Sequence, residues 1–439
     1  MKNKFFKSTL ILLVGGFITK LFSTLIKITI SRLIGTEGLS MYSLVLPTLN
    51  LLISLSQFGI PIAISKLVSE DTKNNKRLLF STLPIIIITN LTLIIIVNIF
   101  ATTISTNLLH NKDLYISIVA TTCVIPFTTI SNICRSYFFG KEKMFPHVIS
   151  NITEDLIRFI LTILFVSKIL KISLKYTVCF IILTNVISEL ASTLVLLLFL
   201  PKNTKITKND IYPNKTYIKE TLRIGIPNTT SRLIGSIGYF LEPIILTHFL
   251  TKTGYTNTYI SHEYAILQGY VMPIILLPSF FTLAISQALL PIISREYVKK
   301  NMNIVRKRIK QALLLTLILG ISINLILTTQ AKFFLNIIYN TNKGITYLKI
   351  LAPITILQYI QSPLSFSLEA IGKSKINLKA STISTIIRTI SLIILSNLHL
   401  GIYSLIISIA INIIITTLYL SRKLYKSINN TKINHSYFL

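Results

Sequence analysis

Lys20 and Lys27 stand two helical turns apart inside an apolar run at the start of the chain, in register with Gly16, Thr24 and Ser31. At 100° per residue these positions share one narrow helix face. An ammonium group held against hydrocarbon is costly, so that face either lines a watery cavity or meets partners. Lys27, near one end of the run, can alternatively snorkel to the headgroups; Lys20 is nearer mid-run and snorkels poorly. Arg232 repeats the theme on a face shared with Gly225, Thr229, Ser236 and Tyr239. Setting Gly15-Gly16 against Pro227-Asn228 puts Lys20 opposite Arg232, one cation in each half of the chain. Deep cations outnumber deep acids, which favours an anionic substrate over an organic cation.

A second polar stripe, Asn50, Ser54, Gln57 and Pro61, has the same helical spacing and reads equally as cavity lining or as a helix–helix seam. Pro47 and the Gly59-Ile60-Pro61 run predict bends or broken backbone there. Glu242 lies about 80° round from Arg232, by the same helical geometry, and precedes Pro243, a candidate kink. It can pair with a lysine across a cavity, carry a proton or Na⁺, or form a static ion pair. Glu263 is a second candidate for coupling or pairing, and Glu189 a packing or interface charge. Glu154 and Arg158 are spaced i,i+4, which predicts an internal salt bridge; Arg388 holds the equivalent place in the second half without an acid four residues before it.

Other chemistry is missing. The four Asp residues form no DxD or DDxxD, the six His are scattered, and there is no GxGxxG or P-loop. Cys123, Cys134 and Cys179 fall in apolar stretches without CxxC spacing and read as small packing residues. No metal, no cofactor and no catalytic residues are expected, and the chain is read as a non-enzyme. An integral membrane transferase and a scaffold or insertase without transport are the rival classes.

The elements that position these residues are apolar helices. Stretches at about 8–31, 39–68, 79–103, 115–138, 148–168, 176–200, 221–250, 262–290, 309–329, 344–369, 377–396 and 401–421 are each of membrane-spanning length. Backbone groups in lipid must be satisfied within the segment, so the expected class is an all-α polytopic membrane protein of about twelve transmembrane helices. Hydrophobic residues at 51%, charged residues at 13% and a mean hydropathy of +0.69 agree. The net charge of +30 is mostly topological. With the N-terminus inside, that end, the alternate loops with the span ends bordering them, and the tail hold 30 of the 44 Lys and Arg. That asymmetry places a multi-pass protein with both termini on the cytoplasmic side of a bacterial cytoplasmic membrane, and argues against nucleic acid as a partner. The first 30 residues resemble a signal peptide, but the run is long, contains two lysines and lacks a small-residue cleavage site; a retained first helix is expected.

The polar stretch 201–220 splits the spans six and six. Three matches cross it at nearly one offset: Ser56-Gln57 with Ser286-Gln287, Gly140-Lys141 with Gly372-Lys373, and Arg158 with Arg388. Six spans per half keep both halves in one orientation, so an N-terminal lobe at 1–200, a cytoplasmic linker at 201–220, a C-terminal lobe at 221–422 and a tail at 423–439 are expected. The lobes are read as parallel pseudo-repeats, an arrangement of secondary transporters.

Three stretches carry a family resemblance: Ile30 to Gly38 (ISRLIGTEG) with Tyr42 and Pro47, Gly59 to Glu70 (GIPIAISKLVSE), and Arg232 to Gly235 continuing to Leu241-Glu242-Pro243. They resemble the stage V sporulation protein B-like family, polysaccharide biosynthesis flippases of the multidrug/oligosaccharidyl-lipid/polysaccharide exporter superfamily. The resemblance implies a V-shaped architecture like that of the multidrug and toxin extrusion (MATE) antiporters. It implies alternating-access movement of a lipid-linked oligosaccharide or peptidoglycan precursor, in spore cortex or cell-wall polysaccharide synthesis. Membrane lipid and cell-wall synthesis proteins are the implied partners, and membrane potential, H⁺ or Na⁺ the implied driving force. A sugar pyrophosphate suits Lys20, Lys27 and Arg232, with Gln57 and Asn50 as further binding residues. A cation-coupled multidrug antiporter is the alternative. Lipid II flippases carry an extra helix pair, so a lipid-tail groove built from it is not expected here.

Overall fold

The computed structural model describes residues 2–70, 74–200 and 207–429, and among them every regular element is helical. The first helix, α1 (Lys2–Gln57), contains 56 residues. Straight, it would extend about 84 Å, far beyond the roughly 30 Å hydrocarbon layer. Gly35, at φ 64° and ψ −170°, divides it. That conformation is open to glycine and strained for any residue with a Cβ. The two expected spans at 8–31 and 39–68 are therefore joined by a kink with almost no loop. A second break follows at Phe58 and Gly59, both at positive φ, before α2 (Ile60–Ser69), whose first turn holds Pro61. A proline in the first helical turn forfeits no hydrogen bond.

The order continues with α3 (Asn75–Thr102), α4 (Tyr115–Gly140), α5 (Met144–Leu170), α6 (Leu174–Leu198), a short α7 (Lys208–Ile211) and α8 (Lys215–Lys252). Then come α9 (Asn257–Ala265), a π-helical stretch Ile266–Val271, α10 (Met272–Leu276) and α11 (Ser279–Val298). The last are α12 (Met302–Thr329), α13 (Ala331–Tyr339), α14 (Ile345–Ala370), α15 (Ser374–Ser396) and α16 (Tyr403–Asn429). Among the described residues, eight helices are long and apolar enough to span a membrane by composition, or nine when Asn257–Leu276 and Ser279–Val298, bent by 43°, form one span. Taking α1 as two segments about Gly35, and adding α5 and α14 at 27 and 26 residues, gives the twelve expected among the described residues. α5 falls outside the apolar set because it carries Glu154, Asp155, Arg158 and Lys168. The outward faces are those of a membrane protein: on α3, Ile88 and Ile99 are 66% and 67% exposed.

The chain forms two compact units, one of residues 1–248 with 257–265, the other of 249–256 with 266–439. In the first, α4, α5 and α6 pack on one another and on α1, while Ile60, Ile64, Leu67 and Val68 of α2 pack with Leu78, Ile86 and Ile133. In the second, α12 and α16 pack on α14, with Ile293, Val305, Leu364, Leu368 and Leu420 in the core. The boundary between units falls inside α8, so the described part of the linker belongs with the first unit. The reason is local. Asn74 caps α3 by accepting from the Lys76 and Arg77 amides, and its Nδ2 donates to Asp210 Oδ1 at 2.7 Å. The Thr207 amide and hydroxyl donate to Asp210 Oδ2 at 2.9 and 2.7 Å, and the Asn214 amide donates to Ser81 Oγ at 2.9 Å.

Those hydrogen bonds, from Thr207 first, hold the Asp210 carboxyl below its ordinary range. A depressed carboxyl stabilises the fold above its unfolded-state pKa and loses that contribution as pH falls through the folded value. Asp210→Asn should therefore raise hydrogen exchange over 207–214 at neutral pH, and acidification should bring wild-type exchange toward the variant's. Equal exchange at neutral pH would show that Asp210 does not fix the linker.

Candidate functional site

The C-terminal segment of α1 presents Asn50, Ile53, Ser54 and Gln57 at helical spacing, and α8 presents Thr229, Arg232, Ser236 and Tyr239. These two stripes line one cavity of about 470 Å³. The helices are latched there by Ser54 Oγ and Ser236 Oγ, 2.7 Å apart. Several polar groups are satisfied within their own helix: Asn50 Nδ2 donates to the Leu46 carbonyl at 3.0 Å, Ser54 Oγ to that of Asn50 at 2.9 Å, and Thr229 Oγ1 to that of Gly225 at 2.8 Å. Such back-bonding lets hydroxyls and amides sit in an apolar helix without a separate partner.

At one end of the cavity two backbones meet. Gly59 lines the cavity, and a Cβ on it would collide with the Gly225 carbonyl and the Thr229 hydroxyl. A Cβ on Gly225 would stand 3.0 Å from the Phe58 carbonyl. Glycine is required at 59 twice over, by its φ of 66° and by this approach.

Arg232 is exposed to the cavity and is the one formally charged group among its described lining residues. A guanidinium among amides, hydroxyls and a phenol offers charge-assisted bonds to an anion and neutral bonds to hydroxyl groups. Of the residues singled out in the sequence, the structure brings Asn50, Gln57 and Arg232 together here. Lys20, half-buried, and Lys27, exposed, lie on α1 before the Gly35 kink and are not among the lining residues. Glu242 is 2% exposed, one turn beyond Tyr239 on α8, and does not line the cavity either. α8 is a single helix through Pro227 and Pro243. Glu263 is half-buried in α9, and Arg388 half-buried in α15.

Glu154 and Arg158 do form their i,i+4 ion pair on α5, as part of a larger buried network. Arg135 of α4 is its centre, at 7% exposure. Its Nη2 donates to Glu154 Oε2 at 2.6 Å, to Glu189 Oε2 of α6 at 3.1 Å, and to Ser192 Oγ at 2.6 Å. Asp155 stands 3.9 Å from Arg158. Two guanidinium groups thus face three carboxylates between α4, α5 and α6. Sequence reasoning missed Arg135 because it lies three residues from the end of the expected fourth span, where the positive-inside pattern absorbs it as a boundary cation. The available signal was two unbalanced charges, Arg135 in the fourth expected span and Glu189 in the sixth.

The family model described as polysaccharide biosynthesis protein matches residues 5–297. The chain belongs to this family. A second family model, MatE, matches residues 268–395 of this polysaccharide biosynthesis family member. Stage V sporulation protein B of Bacillus subtilis (strain 168) is 31% identical over 428 residues, covering 95% of this chain and 83% of that protein. Lipid II flippase MurJ of the same organism is 21% identical over 424 residues, covering 89% and 77%. Among solved structures, a lipid II flippase MurJ in an inward closed conformation superposes with TM-score 0.74 at 20% identity, over 94% of this chain and 87% of that one. An inward-facing multidrug resistance MATE family transporter of the MOP superfamily gives TM-score 0.72 at 16% identity, over 95% and 96%. At these identities the two superpositions show that this chain shares the fold of those two structures.

Proposed function

We propose that this chain is a flippase that moves a lipid-linked oligosaccharide or peptidoglycan precursor across the bacterial cytoplasmic membrane by alternating access. The observation that carries the reading is the cavity with Arg232 as the one charged group among its described lining residues. A lipid-linked sugar pyrophosphate has a polar, anionic head that cannot cross hydrocarbon unaided, and a tail that can stay in lipid. Arg232 meets the phosphate; Asn50, Gln57 and the neighbouring hydroxyls meet sugar hydroxyls. Lys20 and Lys27 extend the cationic path on α1, and Glu242 and Glu263 are the carboxylates for coupling. The names of two relatives, a sporulation protein and a lipid II flippase, support the same substrate class. The protein translocates its substrate and does not transform it, and the near-constant offset between Gln57 and Gln287 and between Arg158 and Arg388 supports two parallel six-helix repeats.

The test is transbilayer exchange in proteoliposomes. Fluorescent lipid-linked glycans should exchange between leaflets when the purified chain is present, and organic cations should not be driven out. Cation efflux without glycan exchange would establish the drug-antiporter alternative instead. Both termini belong on the cytoplasmic side in this reading, because basic residues concentrate on that side. A cysteine placed at Asn203 should stay unlabelled by an impermeant maleimide added outside intact cells, and labelling from outside would invert the topology.

A further inference from the structure

α16 ends in an ordered sequence of chemistries on one face. Ile415 and Leu418 come first, then Tyr419, then Arg422 and Lys423, then Tyr425 and Lys426. At 100° per residue these positions fall on one side of the helix, and they line a single open cavity of about 840 Å³. Leu418 is 58% and Tyr425 71% exposed. Lys423 Nζ stands 5.5 Å over the Tyr419 ring, a cation–π contact that holds the ammonium on this face. Neither α12 nor α16 contains an acidic residue. Their ends also abut, because an Arg306 Nη2 donates to the Ile428 carbonyl at 3.4 Å. Exposed Lys307 and Lys310 at the start of α12 thus add to the same positive field.

Along the bilayer normal a phospholipid presents acyl chain, ester and glycerol, then phosphate. The α16 face presents apolar side chains, Tyr419, then the cations with Tyr425 among them, in the same order. Tyrosine sits at the interfacial level and long basic side chains reach to the phosphates. We propose that this face is a binding site for an anionic phospholipid of the membrane, separate from the Arg232 cavity. Its phosphate lies among Arg422, Lys423 and Lys426, and its acyl chains lie along Ile415 and Leu418. A zwitterionic lipid has the same chains without net charge, so selection here is electrostatic. Each cation near an anionic headgroup contributes roughly a fivefold gain in affinity.

Native mass spectrometry of the purified full chain in a neutral detergent reads this directly. Phosphatidylglycerol should be retained in preference to phosphatidylcholine of the same acyl chains. The variant Arg422→Gln/Lys423→Gln/Lys426→Gln should lose that preference, with affinity for phosphatidylglycerol down by about 100-fold. Tyr425→Ala, at an exposed position where folding is not at stake, should weaken retention without abolishing it. The charge-matched control Lys112→Gln/Lys171→Gln/Lys332→Gln should retain phosphatidylglycerol as the wild type does. Equal retention of the two lipids, an unchanged triple variant, or an equal loss in the control would each overturn the site. Displacement of the lipid by inorganic phosphate alone would overturn it too, by showing that a free anion suffices.

Discussion

Arg135→Gln should remove most of the folded protein from the membrane. The wild-type guanidinium, 7% exposed, binds Glu154 and Glu189 together, on two different helices. Taking it away leaves three carboxylates facing Arg158 alone. Breaking a buried pair by deleting one partner costs about 3–5 kcal/mol, because the remaining charge loses its hydrogen-bonded partner without gaining water. That is a large share of the roughly 5–15 kcal/mol that holds an ordinary domain folded. Fluorescence-detected size exclusion of detergent extracts should show a collapsed monodisperse peak, and any surviving protein should melt early. The decisive control is Arg135→Gln/Glu189→Gln, which deletes the orphaned acid along with its partner and should recover part of the lost protein. A single variant that melts like the wild type would mean that water reaches the network and that α4, α5 and α6 are held by their apolar contacts.

How far the molecule was legible in the sequence depends on whether a feature is local. The spans were legible, because each apolar run reports its own length and its own periodicity. The break before Pro61 was legible for the same reason: Gly59 and Pro61 announce it within three residues. The kink at Gly35 was not legible, since a glycine between the runs at 8–31 and 39–68 does not reveal that the helix resumes at once on either side. Helical spacing showed that Asn50, Ser54 and Gln57 share a face, and likewise Thr229, Arg232 and Ser236. It could not show that Ser54 and Ser236, 182 positions apart, come within hydrogen-bonding distance. Lys20 illustrates the converse. Its stripe is real, but the Gly35 kink separates it from the segment of α1 that lines the cavity. Periodicity assigns a residue to a face; only packing assigns that face a neighbour. Arg135 needed both, since its role appears only when α4, α5 and α6 are laid side by side.

Arg232→Gln should cut exchange of a lipid-linked glycan by about 10- to 100-fold while leaving insertion and abundance near the wild-type level. Arg232 is exposed to the cavity, so its removal orphans no buried charge and should not resemble the loss of Arg135. A hydrogen bond to a charged group contributes about 1.5–3 kcal/mol, and each 1.4 kcal/mol is tenfold in affinity. Arg232→Lys keeps the charge and loses the planar fork, so it should fall between the two. Lys20→Gln should lower exchange as well if the cationic path along α1 extends to the first segment. Wild-type exchange in Lys20→Gln alone would confine recognition to the α1–α8 cavity. Wild-type exchange in both Arg232→Gln and Lys20→Gln would refute an anionic headgroup in this cavity, and the buried carboxylate of Glu242 would then be the group to neutralise next, with an organic cation as the transported species.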